Sequence, residues 1–306
     1  PMIGPELLLD GPPTLVASNA SKPAIACGTS GQCLAVWLRD GGVLMGARID
    51  SAGALIDAAG VRLSEKNVSD LDVAFTGAHY VVAFRDGSGD VYVSRVDTAG
   101  GLLSRDVPVS SSLNRAVTGP VIAAGSSAAL VAWSTFTTVL AARVDASGTV
   151  LDPSGIPFTT TGGLPGPGAA VGKADSIAVS TDGSSFVVAW NGMANSQQAI
   201  WASAVTSIGG TTQAAQVSPS TTTTSDVVRA VWQNSSHLVV WGSSSLKCAR
   251  VASNGSVGAG AGASTPAYGN WGFSVSTNGT TSELVFSAPN PSSTNIDVAH
   301  LTSTGD

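Results

Sequence analysis

Six side chains that interrupt an otherwise repetitive sequence are the best candidates for chemistry in this chain. Four are carboxylates, one is an amide and one is a large aromatic: Asp70, Asp72, Asp175, Asp226, Asn270 and Trp271. Carboxylates and amides hydrogen-bond hydroxyl groups, and an indole ring offers an apolar face, so the set suits a sugar. Two carboxylates facing each other across a cleft could instead act as acid and base in glycoside hydrolysis. The same acids could also do no more than cap turns and solvate a rim.

Patterns that would indicate other chemistries are missing from the sequence. His79, His237 and His300 lie at non-equivalent positions, so they give no His/Cys metal cluster. There is no nucleophile elbow, no phosphate-binding Gly-Lys loop and no His-Glu-x-x-His helix. The acidic turn at 86–90 lacks the distal bidentate acid of a calcium loop. We therefore predict no catalytic residue, no metal site and no cofactor.

The composition limits the partners. The 306 residues include 14 Lys and Arg against 20 Asp and Glu, a net charge of −6, so the basic footprint of a nucleic-acid-binding protein is missing. No apolar run approaches the ~20 residues of a membrane span. Acidic groups at the candidate site would repel phosphorylated or sulfated ligands. We expect a monomer with a neutral or cationic small ligand, carbohydrate or peptide.

A repeat with two markers runs through the chain and must position these side chains. Six short apolar runs each end in an aromatic residue: Trp37, Phe84, Trp133, Trp190, Trp241 and Phe286. Each run is followed by a segment of the type Ala-Arg-Val-Asp, in which the arginine position holds Arg48, Arg95, Arg143, Ala204, Arg250 and His300. A glycine lies five residues beyond each of those positions, from Gly53 to Gly305. Agreement of both markers in six registers indicates six related units.

Each unit is predicted to form four short strands. In the third unit these are 121–124, 129–133, 139–144, and 150–151 together with 156–159. The second strands are apolar at consecutive positions, which is typical of a strand with both faces buried. Small four-stranded sheets that cover one another on both faces are the blades of a β-propeller.

We therefore predict an all-β, six-bladed β-propeller of four-stranded blades in a single domain, 1–306. The approximate blades are 23–64, 70–110, 119–160, 174–218, 226–264, and 270–306 together with 1–10.

The two ends of the chain complement each other. The sixth unit stops after its third strand, whereas the apolar segment 1–10 precedes the first unit and has no unit of its own. Joined tail to head, the ends match the segment from Gly148 to Phe158 in the third unit. We therefore expect Met2 to Leu9 to complete the last blade and close the ring, which would remove free sheet edges.

The repeat resembles one found in exported bacterial proteins, in which Trp-ended strands are followed by Ala-Arg-Val-Asp-x-x-Gly-x-Val-Leu-Asp. Residues 143–152 fit this pattern well, and the resemblance covers essentially the whole chain. It implies a bacterial β-propeller of secreted or surface type and no particular reaction, because propellers host hydrolases, lectins and scaffolds alike. No signal peptide precedes Pro1, so an exported form would already have lost it.

Two cysteines flank a glycine-rich turn. Cys27 and Cys33 lie at the ends of two apolar runs, and a five-residue loop would place their sulfur atoms opposite each other. The residues predict either a hairpin disulfide or two small core thiols. Cys248 is expected to be a buried free thiol.

Functional residues in a repeat protein should break the repeat, so the recurring residues are interpreted as structural. We expect the tryptophans to fill the cores between blades and the arginines to bind carbonyls or carboxylates. Loops leading into the first strands and loops between second and third strands open on one face, where we place any ligand site. The favoured function is a secreted or surface binding module for carbohydrate or peptide. The alternatives are a glycoside hydrolase or lyase using rim carboxylates and a purely structural extracellular scaffold.

Overall fold

The computed structural model describes residues 20–158, 176–194, 197–218, 226–242, 245–258, 263–264, 273–290 and 293–301. Within these ranges the chain forms 23 β-strands and no helix, as an all-β protein should. None of the described residues therefore forms a helix that could span a membrane.

The strands form six antiparallel sheets, each made of consecutive strands. The first sheet contains β1 (Ser21–Cys27), β2 (Cys33–Arg39), β3 (Val43–Ile49) and β4 (Val61–Arg62). The second contains β5 (Val68–Phe75), β6 (His79–Asp86), β7 (Val91–Asp97) and β8 (Leu102–Pro108). The third contains β9 (Thr118–Ala124), β10 (Ala128–Ser134), β11 (Val139–Asp145) and β12 (Ile156–Pro157).

The remaining sheets repeat this pattern. The fourth contains β13 (Ile177–Thr181), β14 (Phe186–Ala194), β15 (Gln197–Val205) and β16 (Ala215–Gln216). The fifth contains β17 (Val227–Gln233), β18 (Ser236–Gly242), β19 (Leu246–Val251) and β20 (Ala263–Ser264). The sixth is described with three strands, β21 (Phe273–Thr277), β22 (Ser282–Asn290) and β23 (Ser293–Leu301).

Each predicted unit thus corresponds to one sheet. In the third sheet the first three strands agree with the predicted ones to within three residues at either end. The fourth strand is shorter than predicted, because only Ile156 and Pro157 pair regularly with β11 and Val150 forms an isolated bridge with Val144. Residues 1–19 lie outside the described residues, so closure of the ring by the N-terminal segment stays a prediction.

Apolar cores lie between successive sheets. Side chains from the second and third sheets share one core, and those from the third and fourth share another. Trp133, Trp190 and Trp241 belong to cores between sheets, whereas Trp37 is buried among residues of its own sheet. The predicted place between sheets is confirmed for the first three. The first strands of the sheets contact one another in chain order, so β1, β5, β9, β13, β17 and β21 follow side by side.

Three of the recurring arginines join the first, second and third sheets to a turn of the next sheet. Arg48 donates from Nη1 to the carbonyl of Thr98 at 3.2 Å, and Arg143 donates to the carbonyl of Ser207 at 2.6 Å. Arg95 likewise donates to the carbonyls of the 145–148 turn in the third sheet. We call these three arginines, with the turn carbonyls that they bind, the inter-sheet clamp. The predicted bonding of the recurring guanidinium groups to carbonyls is confirmed.

The glycine marker belongs to the same contact. Gly148 closes its turn by donating to the carbonyl of Asp145 at 3.0 Å, and its φ is 91°. A Cβ at this position would lie 2.9 Å from Nη1 of Arg95. Gly100 and Gly209 approach the preceding sheet's arginine in the same way. Positive φ and close approach both require glycine here, so the two sequence markers are two halves of one contact between neighbouring sheets.

The hairpin at 27–33 carries a disulfide. Cys27 and Cys33 are directly opposite in the β1–β2 register, and their sulfur atoms are bonded. Cys248 is buried, as expected, in the core between the fifth and sixth sheets. The structure thus contains the first of the two arrangements that the sequence left open.

Candidate functional site

A cavity of about 470 Å³ lies where the first strands of the sheets come together. All six first strands contribute to its wall. Ile122 and Val179, in the first strands of the third and fourth sheets, are both part of the lining. Because every sheet contributes one strand, each wall position has a counterpart in the other five sheets. The wall can therefore be compared residue by residue.

One register of this wall separates ordinary sheets from unusual ones. It consists of the residues paired with the position just before the recurring aromatic: Ala24, Asp72, Val121, Ala178, Arg229 and Ser274. Four of the six are small and uncharged. Asp72 and Arg229 break the repeat, and they belong to the second and fifth sheets. Their strands, β5 and β17, are three positions apart in the order of the first strands. The two side chains therefore approach the cavity from different sides, at the same position along their strands.

The Asp72 carboxylate is half-buried and held by backbone groups. Oδ2 accepts a hydrogen bond from the N–H of Ile122 in the next sheet at 2.9 Å, and Oδ1 accepts one from Val73 at 2.8 Å. Burial raises the pKa of Asp72 to about 6, although these hydrogen bonds and Arg229 act to lower it. A carboxylate with such a pKa changes charge close to neutral pH.

Arg229 presents the opposite charge. Its Nη1 donates to the carbonyl of Val228 at 2.9 Å, and its guanidinium carbon lies 5.9 Å from the centre of the Phe273 ring. Burial lowers the pKa of the Arg229 guanidinium, and the charge of Asp72 acts against that shift. The group is still protonated at neutral pH, because the ordinary pKa of arginine is so high. The cavity therefore holds a desolvated cation.

Asp70 also lines the cavity, but its charge is already matched. Nζ of Lys22 lies 2.8 Å from its Oδ1, and Nη2 of Arg85 lies 4.0 Å from its Oδ2. Arg85 is itself fixed by carbonyls of Ala116 and Val117. The described lining therefore carries a cation, Arg229, beside the two predicted carboxylates Asp70 and Asp72.

The Ser176 hydroxyl group links two neighbouring sheets at the wall of the cavity. Ser176 accepts a hydrogen bond from the N–H of Val228 at 2.7 Å and donates to the carbonyl of the same residue at 3.2 Å. It therefore ties the fourth sheet to the fifth beside Arg229, much as Asp72 ties the second sheet to the third. Thr118 and Ser274 add further hydroxyl-bearing residues to the wall.

The other predicted site residues have different outcomes. Asp226 lies just before β17 and is 8% exposed, so the described structure buries it rather than presenting it on a rim. Its carbonyl accepts a hydrogen bond from the Asn191 side chain at 3.0 Å. Asp70 and Asp72 lie inside strand β5 and not in the loop before it. Asp175, Asn270 and Trp271 lie outside the described residues.

Arg229 is the residue that the sequence argument missed. It lies inside an apolar first strand, whereas candidates were sought in loops. Aligning the six first strands on their aromatic partners would have shown it as a departure from the repeat. Among the described residues there is no group of three or more His, Cys, Asp or Glu side chains that could hold a metal ion.

Comparison with solved structures supports the fold. The lectin BP39L of Burkholderia pseudomallei matches with a TM-score of 0.69 and 16% identity, over 94% of this chain and 83% of that one. The lectin SapL1, solved in complex with α-methyl fucoside, matches with a TM-score of 0.56 and 12% identity, over 94% of this chain and 97% of that one. A protein of unknown function from Dyadobacter fermentans matches with a TM-score of 0.55 and 9% identity, over 92% and 94%.

These identities are low, so the likeness concerns the fold alone, which is the β-propeller-like fold of such lectins. No protein-family model matches the sequence, and no curated protein matches it.

Proposed function

We propose that this protein is a carbohydrate-binding module whose ligand occupies the central cavity. The observation that carries the proposal is the pair of charged residues, Asp72 and Arg229, at the one wall register where four sheets have small uncharged residues. A structural requirement of the fold would recur from sheet to sheet, and this pair does not. We call the cavity wall with Asp72, Arg229, Ser176, Thr118 and Ser274 the cavity site.

The chemistry of the cavity site favours a sugar over an apolar ligand. Its volume of about 470 Å³ falls within the usual ~300–1,000 Å³ of small-molecule pockets. Its wall combines a carboxylate, a guanidinium and hydroxyl groups, which suit the alternating donors and acceptors of a sugar ring. The likeness in fold to lectins, one of them solved with a fucoside, agrees with this choice.

An aromatic side chain on the same face of the sheets adds to the proposal. Phe136 lies in the turn between β10 and β11 and is 78% exposed. Turns between second and third strands lie on the face where the first strands begin, so Phe136 belongs to the face predicted to carry the ligand. An exposed ring of this kind can stack against the apolar face of a sugar.

The arrangement does not favour the glycoside hydrolase alternative. That mechanism needs two carboxyl groups on either side of the scissile bond. Among the described lining residues, the charged partner of Asp72 from another sheet is Arg229, and Asp70 shares a strand with Asp72. Export to the cell surface or medium and a monomeric state are also part of the proposal. Export is supported by the Cys27–Cys33 disulfide, since such bonds persist in oxidising compartments.

An immobilised-glycan array tests the proposal. The wild-type protein is compared with Arg229→Gln, and with Arg105→Gln as a matched control. Arg105 lies in the outer strand β8, where it pairs with Glu65. We expect wild type and R105Q to bind the same glycans and R229Q to lose them while keeping the wild-type circular dichroism spectrum. Absence of binding by wild type, or equal binding by a folded R229Q, would contradict the proposal.

A further inference from the structure

We propose that the cavity site takes an acidic sugar, whose carboxylate pairs with Arg229 while a hydroxyl group of the ligand donates to Asp72. This inference rests on the proposed carbohydrate-binding function and specifies the ligand class. It replaces the expectation of a neutral or cationic ligand, which was based on walls that would be acidic throughout.

Arg229 provides the first step. A guanidinium has five N–H donors in a planar fork that matches a carboxylate in bidentate geometry. The described structure gives Arg229 one hydrogen bond, from Nη1 to Val228, and a ring contact with Phe273. The arginines of the first and third sheets differ, because Arg48 and Arg143 each bind an aspartate through Nε and Nη2 at 2.8 Å. Arg229 is thus the cavity group whose chemistry calls for an anion.

Asp72 provides the opposite end of the ligand. Its two oxygens each accept one backbone N–H, which fixes the carboxylate in place. A carboxylate oxygen has a second lone pair, so each can still accept a hydroxyl from a ligand. A sugar with a carboxylate at one edge and hydroxyl groups at the other matches a site that has Arg229 at one end and Asp72 at the other. A neutral sugar would offer the guanidinium no carboxylate to bind in bidentate geometry.

The charge around the site agrees with an acidic ligand. The described lining carries one cation, Arg229, and two carboxylates, Asp70 and Asp72. Lys22 and Arg85, which are not part of the lining, lie against Asp70 and offset its charge, so the wall does not repel an anion as two unpaired carboxylates would. Nearby charges of this kind favour one ligand charge over another at short range.

The titration of Asp72 predicts how affinity should depend on pH. The charged groups facing Asp72 are Asp70 on its own strand and Arg229 from β17, and Lys22 and Arg85 lie beyond Asp70. Burial raises the pKa of Asp72 to about 6. Protonation below that pH removes a negative charge next to the bound anion. An acidic sugar should therefore bind more tightly at pH 5 than at pH 7.5.

Isothermal titration with matched glycosides tests the inference. The ligands are the methyl glycosides of glucuronic and galacturonic acid, each paired with its neutral counterpart, methyl glucoside or methyl galactoside. We expect at least one acid to bind tenfold or more tightly than its neutral partner, and threefold or more tightly at pH 5 than at pH 7.5. R229Q should abolish the preference for the acid, Asp72→Asn should remove the pH dependence, and R105Q should change neither.

The outcomes separate the inference from the function on which it rests. If a neutral glycoside binds as well as its acid and R229Q still binds it, the ligand class is wrong but carbohydrate binding stands. If none of the four binds at millimolar concentration, and the glycan array is also negative, both are wrong. If R229Q does not fold, Arg229→Lys replaces it, because lysine keeps the positive charge but lacks the planar fork of donors. Loss of the preference for the acid by an R229K protein with a native circular dichroism spectrum supports the inference. Full retention of the preference overturns it.

Discussion

Aspartate and arginine occur together in two regions of this molecule, and the two regions use them differently. In the inter-sheet clamp, Arg143 binds Asp152 through two nitrogens at 2.8 Å and donates from its third to the next sheet. In the cavity site, Arg229 and Asp72 come from separate sheets, and each is held by backbone groups of its surroundings.

The difference shows how a repeat protein separates structure from recognition. The clamp recurs in three sheets, and Nε, Nη1 and Nη2 of each of its guanidinium groups already donate a hydrogen bond within the protein, so its role is to hold the sheets together. The pair in the cavity occurs once, and the Arg229 guanidinium keeps donors that a ligand could use. Substitutions in the clamp should therefore reduce stability, whereas substitutions in the cavity should reduce binding.

The largest loss of stability is expected at the contact between the last and first sheets, where the described residues show no inter-sheet clamp. Gly53 in the first sheet has the clamp geometry, with φ 85°, but no described atom lies within 4 Å of its would-be Cβ. The sequence predicts that Met2 to Leu9 completes the last blade, so we expect the contact between the last and first sheets to depend on this segment. A protein beginning at Gly11 should lose several kcal/mol of unfolding free energy, on the order of a severe core lesion. Thermal and urea unfolding measure this, and a truncated protein that melts like the full chain would rule out closure by this segment.

The next effect distinguishes two glycines at equivalent turn positions in the first and third sheets. Gly148→Ala should cost about 3 kcal/mol, because strained positive φ adds to displacement of Arg95. Gly53→Ala has the same positive φ, but no described atom lies within 4 Å of its would-be Cβ, so it should cost about 1 kcal/mol. Urea denaturation of both variants measures the difference, which isolates the clamp. Equal losses would show that the clamp contributes nothing beyond backbone strain.

Removal of one clamp arginine should have a somewhat smaller effect. Arg143→Gln leaves Asp152 without its ion pair and the Ser207 carbonyl without its donor. We expect the unfolding free energy to fall by about 2 kcal/mol, since both side chains are mostly buried. Arg229→Gln, measured in parallel by urea denaturation, should change it by less than about 1 kcal/mol. The reverse order would mean that the cavity arginine is the structural one.

The smallest effect is a difference in the pH dependence of stability. Burial lowers the pKa of His237 in the folded protein to about 4, so the unfolded chain binds a proton there more readily than the folded one. The contribution of His237 to stability therefore rises with pH between about 4 and 6.5. Asp72 has the opposite sign: its pKa of about 6 lies above the unfolded value, so stability from this residue falls as pH rises from about 4 to 6.

Two variants separate these contributions. Between pH 4.5 and 6, the slope of stability against pH should be more positive than that of wild type in Asp72→Asn and more negative in His237→Asn, each by at most about 1.4 kcal/mol per pH unit. The pKa of His79 is also lowered, mainly by burial, and it adds a rise with pH that all three proteins share. Carboxylates whose pKa is lowered, such as Asp57 and Asp152, lose their contribution mainly below this window. Urea midpoints at four pH values measure the slopes, and identical slopes in both variants would refute the assignment.

Much of the fold could be predicted because its causes are local and repeated. The aromatic, the arginine and the glycine recur at fixed spacing, and each has a short-range physical reason that the structure shows. The link between the arginine and the glycine was not visible, because Arg95 meets Gly148 across a sheet boundary, 53 positions further along the chain. Spacing within one unit cannot show a contact between units.

The site was predicted less well, for the same reason. Asp70 and Asp72 were identified as departures from the repeat, and both line the cavity. Asp226 was expected on the rim, but it is buried before β17. Arg229 was missed because its neighbours Val228 and Ala230 make the strand look like ordinary core. Which strands face each other across a cavity follows from the arrangement of all sheets, and one unit contains no such information.

The most direct test measures glycan binding by wild type, R143Q and R229Q on one array, at a temperature where circular dichroism shows all three folded. The account predicts that R143Q binds like wild type despite its lower stability and that R229Q binds nothing that wild type binds. Binding retained by R229Q and lost by folded R143Q would contradict the claim that the repeated arginines hold the structure and the single cavity arginine holds the ligand.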